Sequence, residues 1–85
     1  MIAIRHCIID ELGLHARSAG QLVKMAGKCT CKVSAEGDGK TVDAKSILGV
    51  MSLGLKHGAE LVIRVDGAGE DEAARWFEEY LQSNV

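Results

Sequence analysis

Four short segments of the chain are predicted to be strands, from alternation of apolar and polar residues, from β-branched residues, or from their place after a turn. Residues 2–9 and 60–66 are rich in β-branched residues and are predicted to be the first and last strands. Residues 29–35 alternate small apolar residues with polar ones, and the turn at 36–39 leads into a short partner strand at 40–43. The two middle strands are therefore expected to form a hairpin.

Three other segments have helical periodicity. From Ala16 to Ala26 the apolar residues recur every three or four positions, which is typical of one buried helix face, and Gly27 is predicted to end that helix. Ser46 precedes an apolar stretch, as a helix N-cap does. Acidic residues at 70–72 favour the start of a last helix, because negative charge is stable there. The predicted inner face of this helix consists of Ala73, Ala74, Phe77 and Leu81.

The resulting order of elements is β-α-β-β-α-β-α. It predicts an α+β open-faced sandwich, in which a four-stranded antiparallel sheet carries three helices on one face. The chain has 85 residues and no linker or internal repeat, so residues 1–85 are predicted to form a single domain. A chain this short uses most of its apolar residues in one core, and its functional site is expected on the surface.

Composition and charge argue against several classes of function. A formal net charge of −2 does not suit a nucleic-acid-binding protein, and no apolar run approaches the roughly 20 residues that a membrane span needs. Cys7, Cys29 and Cys31 lack the spacing of a disulfide framework, which favours a cytoplasmic protein with reduced thiols. They also lack the spacing of a zinc site, so neither metal nor cofactor is expected. We expect the cysteines to fill the core and His6 to face the helices.

His15 lies between the first strand and the first helix, after a turn-like segment at 10–13. The first amides of a helix have no intrahelical partner and attract anions, so Ala16 and Ser18 are predicted to belong to the helix start at a phosphate site. Arg17 can add a two-pronged hydrogen bond to phosphate oxygens. The helix dipole also disfavours an imidazolium, which leaves a neutral ring nitrogen as nucleophile. On these residues alone, a loop histidine without a function is an equally good interpretation.

Three segments resemble the HPr phosphocarrier family of the bacterial phosphoenolpyruvate-dependent sugar phosphotransferase system: GLHAR at 13–17, KSILGVMSLGL at 45–55 and GAE at 58–60. The resemblance covers nearly the whole chain and implies the same order of elements. It implies that Enzyme I phosphorylates His15 at Nδ1 with phosphoenolpyruvate as the source, and that IIA domains receive the phosphoryl group. Arg17 would stabilise the phosphate. The implied protein is a monomeric carrier rather than an independent catalyst, although related proteins exchange strands.

Ser46 is the second candidate for a functional residue. In HPr proteins of many bacteria the matching serine is phosphorylated by HPr kinase/phosphorylase for regulation, and the segment around Ser46 is similar to that class. The alternative is a serine that only caps the helix, because a cap and a kinase site use the same hydroxyl. Helical spacing predicts that Val50 and Leu53 are core residues. By the resemblance, an apolar patch would dock Enzyme I, IIA domains, the kinase or a transcription regulator of the CcpA type: Ile47, Leu48 and Met51.

Ser18 departs from the family pattern, which usually has proline at this position. Proline presets φ in a first helical turn, whereas serine restores an N–H donor. We therefore expect Ser18 to weaken the rigidity of the phosphate site or to add a hydroxyl contact to it. Two further functions stay open on the sequence: an HPr-like regulatory binding protein controlled mainly through Ser46, and an unrelated small α+β interaction module. Crh-like relatives, which lack the active histidine, show that a regulatory role exists in the family, and His15 argues only against a complete loss of phosphoryl transfer in this chain.

Overall fold

The computed structural model describes residues 1–85 and contains the four predicted strands in one sheet. The strands are β1 (Ile2–Cys7), β2 (Lys32–Gly37), β3 (Lys40–Asp43) and β4 (Glu60–Asp66). Their order in the sheet is β1-β4-β2-β3, and all three neighbouring pairs are antiparallel. The last strand in the sequence thus lies between the first and the second.

Three helices complete the predicted order of elements, and they are α1 (Ala16–Lys28), α2 (Ile47–Met51) and α3 (Glu70–Asn84). The predicted end of α1 at Gly27 is wrong. The helix runs to Lys28, and the N–H of Cys29 then donates to the carbonyl of Ala26 at 3.1 Å. No helix of the chain is both long enough and apolar enough to cross a membrane.

Two strands have other bounds than predicted: β1 ends two residues earlier, and β2 starts later and runs through Gly37. The predicted turn at 36–39 is therefore wrong at Glu36 and Gly37, which pair with β3, and only Asp38 and Gly39 form the turn. After β1, the Ile8 N–H donates to the carbonyl of Ala59 at 2.9 Å, and the Gly58 N–H donates to the carbonyl of Ile8 at 2.8 Å. At the start of β2, Cys29 caps α1, so the alternating residues 29–31 belong to a connection and not to a strand. Apolar and polar residues do alternate at 29–31, but the backbone N–H of Cys29 makes the hydrogen bond that ends α1.

The core lies between the sheet and the helices, and it contains the predicted inner face of α3. Val50 and Leu53, at and just after the end of α2, are buried as predicted. His6 is half-buried on the same face of β1 as Ile4, and its Nε2 is enclosed without a hydrogen-bond partner. The buried residues of α3 are Ala73, Ala74, Phe77 and Leu81.

The three cysteines differ in burial. Cys31 is buried, as expected of a core filler, and Cys29 is half-buried. The prediction is wrong for Cys7, which is exposed because it lies on the opposite face of β1 from Ile4. Its thiol donates to the carbonyl of Gly58 at 3.7 Å.

Candidate functional site

His15 is the residue immediately before α1, and its backbone is extended, with φ −116° and ψ 178°. Its carbonyl accepts the first helical hydrogen bond, from the N–H of Ala19 at 2.8 Å. The N–H groups of Ala16 and Arg17 make no hydrogen bond within the protein. Two free donors and the positive end of a 13-residue helix therefore adjoin the imidazole, and both favour an anion there.

The loop that carries His15 is fixed by Gly13 and Leu14. Gly13 has φ +71°, and a Cβ atom at this position would lie 2.5 Å from the carbonyl oxygen of Leu55 and 2.7 Å from the Cα of Lys56. Only glycine has both the conformational freedom and the small size for this approach. The N–H of Leu14 also donates to the carbonyl of Leu55 at 2.9 Å. The segment after α2 thus holds the loop in place.

One edge of the imidazole faces a carboxylate. Nε2 of His15 lies 3.5 Å from Oδ2 of Asp10, and the two side chains are 30% and 28% exposed. Oδ1 of Asp10 accepts the N–H of Leu12 at 2.9 Å, which forms an Asx turn. Sequence reasoning placed Asp10 only in a turn. The sequence does show an aspartate in a turn, where its side chain can accept a hydrogen bond from the residue two positions on. The distance between this carboxylate and His15, however, depends on how the loop folds.

Ser18 closes the first turn of α1. Its Oγ accepts the N–H of His15 at 3.1 Å and lies 3.1 Å from the carbonyl oxygen of His15, to which it can donate. The side chain is buried, with 3% exposure. The hydroxyl therefore binds the backbone of the predicted acceptor residue, which ties the turn together. Its effect on phosphorylation stays a prediction.

An open, mainly polar depression of about 240 Å³ adjoins His15 and Arg17. Its far side comes from the C-terminal part of α3, which sequence reasoning did not connect with the site because no local motif marks it. The ring of Tyr80 stacks on Trp76, with centroids 5.0 Å apart and planes 6° apart. Burial raises the pKa of the Tyr80 phenol, while the positive charge of Arg17 acts in the opposite direction. The α3 residues at the depression are Tyr80, Ser83 and Asn84.

Ser46 is the N-cap of α2, as predicted. Its Oγ accepts the N–H of Gly49 at 3.1 Å, and the residue is exposed. The preceding residue is anchored on both sides: the N–H of Lys45 donates to Oδ1 of Asp43 at 2.9 Å, and its Nζ donates to the carbonyl of Cys29 at 3.2 Å. The serine hydroxyl therefore stands at a fixed position on the surface.

The predicted apolar patch is exposed beside Ser46. Because α2 packs against α1, the patch and the His15 site lie on neighbouring helices. The structure brings His15, Arg17 and Ser18 together, whereas no hydrogen bond or ion pair joins them to Ser46. The patch residues are Ile47, Leu48 and Met51, which are 42%, 81% and 39% exposed.

Metal-binding residues are not grouped in this fold. No cluster of three or more histidine, cysteine, aspartate or glutamate side chains could hold a metal ion. Burial raises the pKa of the Cys29 thiol, and the neighbouring Cys31 acts in the same direction. Cys29 therefore remains a thiol rather than a thiolate at neutral pH.

An open-faced β-α-β-β-α-β-α sandwich with a histidine at the free end of its first helix is the architecture of a histidine phosphocarrier. The family model for the PTS HPr component phosphorylation site matches residues 3–83. The chain therefore belongs to the HPr family of the phosphotransferase system.

Solved structures agree with this assignment over nearly the full length. HPr-C-His from Thermoanaerobacter tengcongensis is 36% identical, with a TM-score of 0.90 over 98% of this chain and 93% of that one. The phosphocarrier protein HPr from Bacillus anthracis is 36% identical, with a TM-score of 0.86 over 95% and 96% of the two chains. The Bacillus subtilis protein Crh, a swapped dimer, is 41% identical, with a TM-score of 0.75 over 89% and 87%.

Proposed function

We propose that the protein carries a phosphoryl group on Nδ1 of His15, accepting it from one protein and passing it to another. The observation that carries this proposal is the position of the imidazole at the open end of α1. The unpaired amides of Ala16 and Arg17 are available to the phosphate oxygens. The guanidinium of Arg17 lies at the same depression and supplies a full positive charge.

Phosphoryl transfer needs a nucleophile and groups that stabilise the negative charge on the phosphate oxygens, and the site supplies both. The lone pair of Nδ1 attacks phosphorus while the bond from phosphorus to the donor's leaving atom breaks. In the return step the acceptor attacks, the P–N bond breaks, and the electron pair goes back to Nδ1. Helix amides and Arg17 stabilise the phosphate oxygens in both directions. The protein positions the group, and partner proteins complete the reaction.

The proposed donor is Enzyme I, charged from phosphoenolpyruvate, and the proposed acceptors are IIA domains. Membership of the HPr family supports both assignments. The exposed side chains of Ile47, Leu48 and Met51 on α2 supply an apolar surface next to α1, where a partner could dock with its reactive group close to His15.

A second candidate function is regulation through Ser46. Its exposed hydroxyl begins α2 directly beside the apolar patch. A phosphate there would add about −1.5 to −2 charges. Acidic groups of a partner would be repelled, and docking of apolar groups would be weakened because the phosphate would have to lose water. We propose HPr kinase/phosphorylase as the modifying enzyme and a CcpA-type regulator as a further partner. A mainly regulatory protein is the alternative, and the complete His15 site favours the carrier.

The proposed working form is a monomer of one domain in the cytoplasm. A single hydrophobic cluster supports one domain, and three free cysteines suit a reducing compartment. Solved relatives include a dimer of HPr from Thermoanaerobacter tengcongensis and the swapped dimer of Crh. Light scattering during size-exclusion chromatography should give the mass of one chain, and a stable dimer at micromolar concentration would contradict the proposal.

Labelling with two phosphate sources tests the carrier function. The protein is incubated with labelled phosphoenolpyruvate and Enzyme I, and separately with labelled ATP and HPr kinase. In the first reaction we expect acid-labile label on the natural chain and none on the His15→Ala variant. His57→Ala is a matched control, because His57 is an exposed histidine outside the site. Acid-stable label alone would favour the regulatory alternative, and no label in either reaction would favour an interaction module.

A further inference from the structure

We propose that Asp10 is a positioning residue for His15, which holds the proton on Nε2 and so keeps the lone pair on Nδ1. This role rests on the proposed carrier function and specifies how the acceptor nitrogen is selected. Asp10 is the only carboxylate within 4.0 Å of the His15 ring nitrogens.

The geometry separates the tasks of the two ring nitrogens. Nε2 lies 3.5 Å from Oδ2 of Asp10. Nδ1 is bonded to Cγ and lies nearer the backbone, on the side of the ring that faces the first turn of α1. A neutral imidazole donates from one nitrogen and accepts at the other, so a carboxylate at Nε2 selects the tautomer whose free lone pair is on Nδ1.

The Asp10 carboxylate is itself anchored. Oδ1 is engaged by the N–H of Leu12 at 2.9 Å, which leaves Oδ2 for the imidazole. The Asp10 carbonyl accepts the N–H of Gly13 at 2.9 Å, and its own N–H donates to the main-chain oxygen of Val85 at 2.8 Å. Both the backbone and the side chain of Asp10 therefore have fixed partners, as a positioning residue requires.

The contact becomes stronger during the reaction. At 3.5 Å the N–O separation is longer than an ordinary hydrogen bond, as is common for catalytic contacts before the substrate binds. When Nδ1 forms its bond to phosphorus, the ring becomes a phosphoimidazolium and its positive charge strengthens the attraction to Asp10. When the P–N bond breaks, the electron pair returns to Nδ1, Nε2 keeps its proton, and a neutral imidazole leaves. No proton has to be gained or lost.

Asp10→Asn tests this role without removing the turn. The side-chain oxygen of asparagine can still accept the N–H of Leu12, so its NH₂ group faces Nε2. That donor reverses the preference and favours a proton on Nδ1, as in a catalytic triad whose aspartate is changed to asparagine. Asp43→Asn is the matched control: Asp43 forms the same kind of turn, with Oδ1 2.9 Å from the N–H of Lys45, and the charge change is equal.

Nitrogen-15 NMR of the His15 ring reports the tautomer directly, recorded about two pH units above the ordinary imidazole pKa of roughly 6.5. We expect an Nε2–H tautomer in the natural chain and in Asp43→Asn, and a shift towards Nδ1–H in Asp10→Asn. Labelling from Enzyme I should slow by roughly tenfold or more in Asp10→Asn only, a typical effect of removing a group that orients an imidazole.

The outcomes separate the two proposals. If the natural chain is labelled at His15 while Asp10→Asn keeps both the Nε2–H tautomer and the natural labelling rate, the role of Asp10 is wrong and the carrier function stands. Equal slowing in Asp43→Asn would also overturn it, because a general charge effect would then explain the result. A natural chain that takes no label from Enzyme I would overturn the carrier function, and the role of Asp10 with it.

Discussion

At the scale of single residues, the backbone position of His15 depends on its neighbours in the loop and in the first turn of α1. Gly13 lets the loop pass close to Leu55, and Ser18 binds the backbone of His15. The sequence indicated His15 and Arg17 because both lie in one short motif at a helix start. It did not indicate Asp10, because the approach of that carboxylate is created only when the loop folds back.

Gly13→Ala should destabilise the protein and displace the loop. An alanine there has a left-handed backbone, which costs about 1–2 kcal/mol, and its Cβ also clashes with main-chain atoms at 2.5 and 2.7 Å. Gly39→Ala is the control, because Gly39 has φ +77° with no atom within 4 Å of the added Cβ. Urea unfolding should show a larger loss for Gly13→Ala. Equal losses of unfolding free energy in the two variants would mean that the clash with Leu55 and Lys56 does not affect stability.

Ser18→Pro tests the departure from the family pattern. Proline presets φ in the first turn of α1 but removes the hydroxyl bonds to the His15 backbone, so we expect the rate of His15 phosphorylation to differ from that of the natural chain. Ser18→Ala serves as the comparison, since it removes the hydroxyl bonds to His15 but keeps the N–H. The measurement is the initial rate of labelling by Enzyme I. A rate for Ser18→Pro that equals that of the natural chain would contradict the prediction.

At the scale of elements, periodicity predicted the order and type of all seven, and it failed where two signals competed at one position. Gly27 resembles a helix stop, yet its φ is not positive and α1 continues to Lys28. Cys29 and Cys31 alternate like strand residues, yet Cys29 caps the helix. A glycine near a helix end, or a segment of alternating apolar and polar residues, is compatible with more than one local backbone structure. Packing of the whole chain selects between these structures.

Gly27→Ala should stabilise the protein by about 0.5–1 kcal/mol, because Gly27 lies inside α1 and an added Cβ meets no atom within 4 Å. Gly54→Ala should have the opposite sign, since Gly54 has φ +58°. Thermal unfolding of both variants measures the two effects. A loss of stability in Gly27→Ala would indicate that this residue ends the helix after all.

At the scale of the whole molecule, the sheet order brings together parts that are distant in sequence. The sequence predicted a four-stranded sheet with helices on one face, but not that β4 lies between β1 and β2. It also did not predict that the end of α3 forms one side of the depression at His15. Both features depend on long-range packing, for which a single sequence carries no local pattern.

The stability of the molecule should fall in alkaline solution. Burial and Cys31 raise the pKa of the Cys29 thiol, so the folded chain binds this proton more tightly than the unfolded chain. This contribution is complete below the ordinary thiol pKa of about 8.5 and is lost as the pH rises through the higher folded value. Cys29→Ala should flatten the decline in unfolding free energy above about pH 8.5. An identical pH dependence in both chains would contradict this assignment.

A chase experiment shows whether His15 both accepts and releases a phosphoryl group. The protein is labelled with phosphoenolpyruvate and Enzyme I, freed of both, and mixed with a purified IIA domain, while intact-mass spectrometry follows both proteins. We expect one phosphoryl group to leave this chain and appear on the IIA domain, and His15→Ala never to acquire it. A phosphoryl group that remains on the chain, or that His15→Ala also carries, would show that His15 is not the carrier.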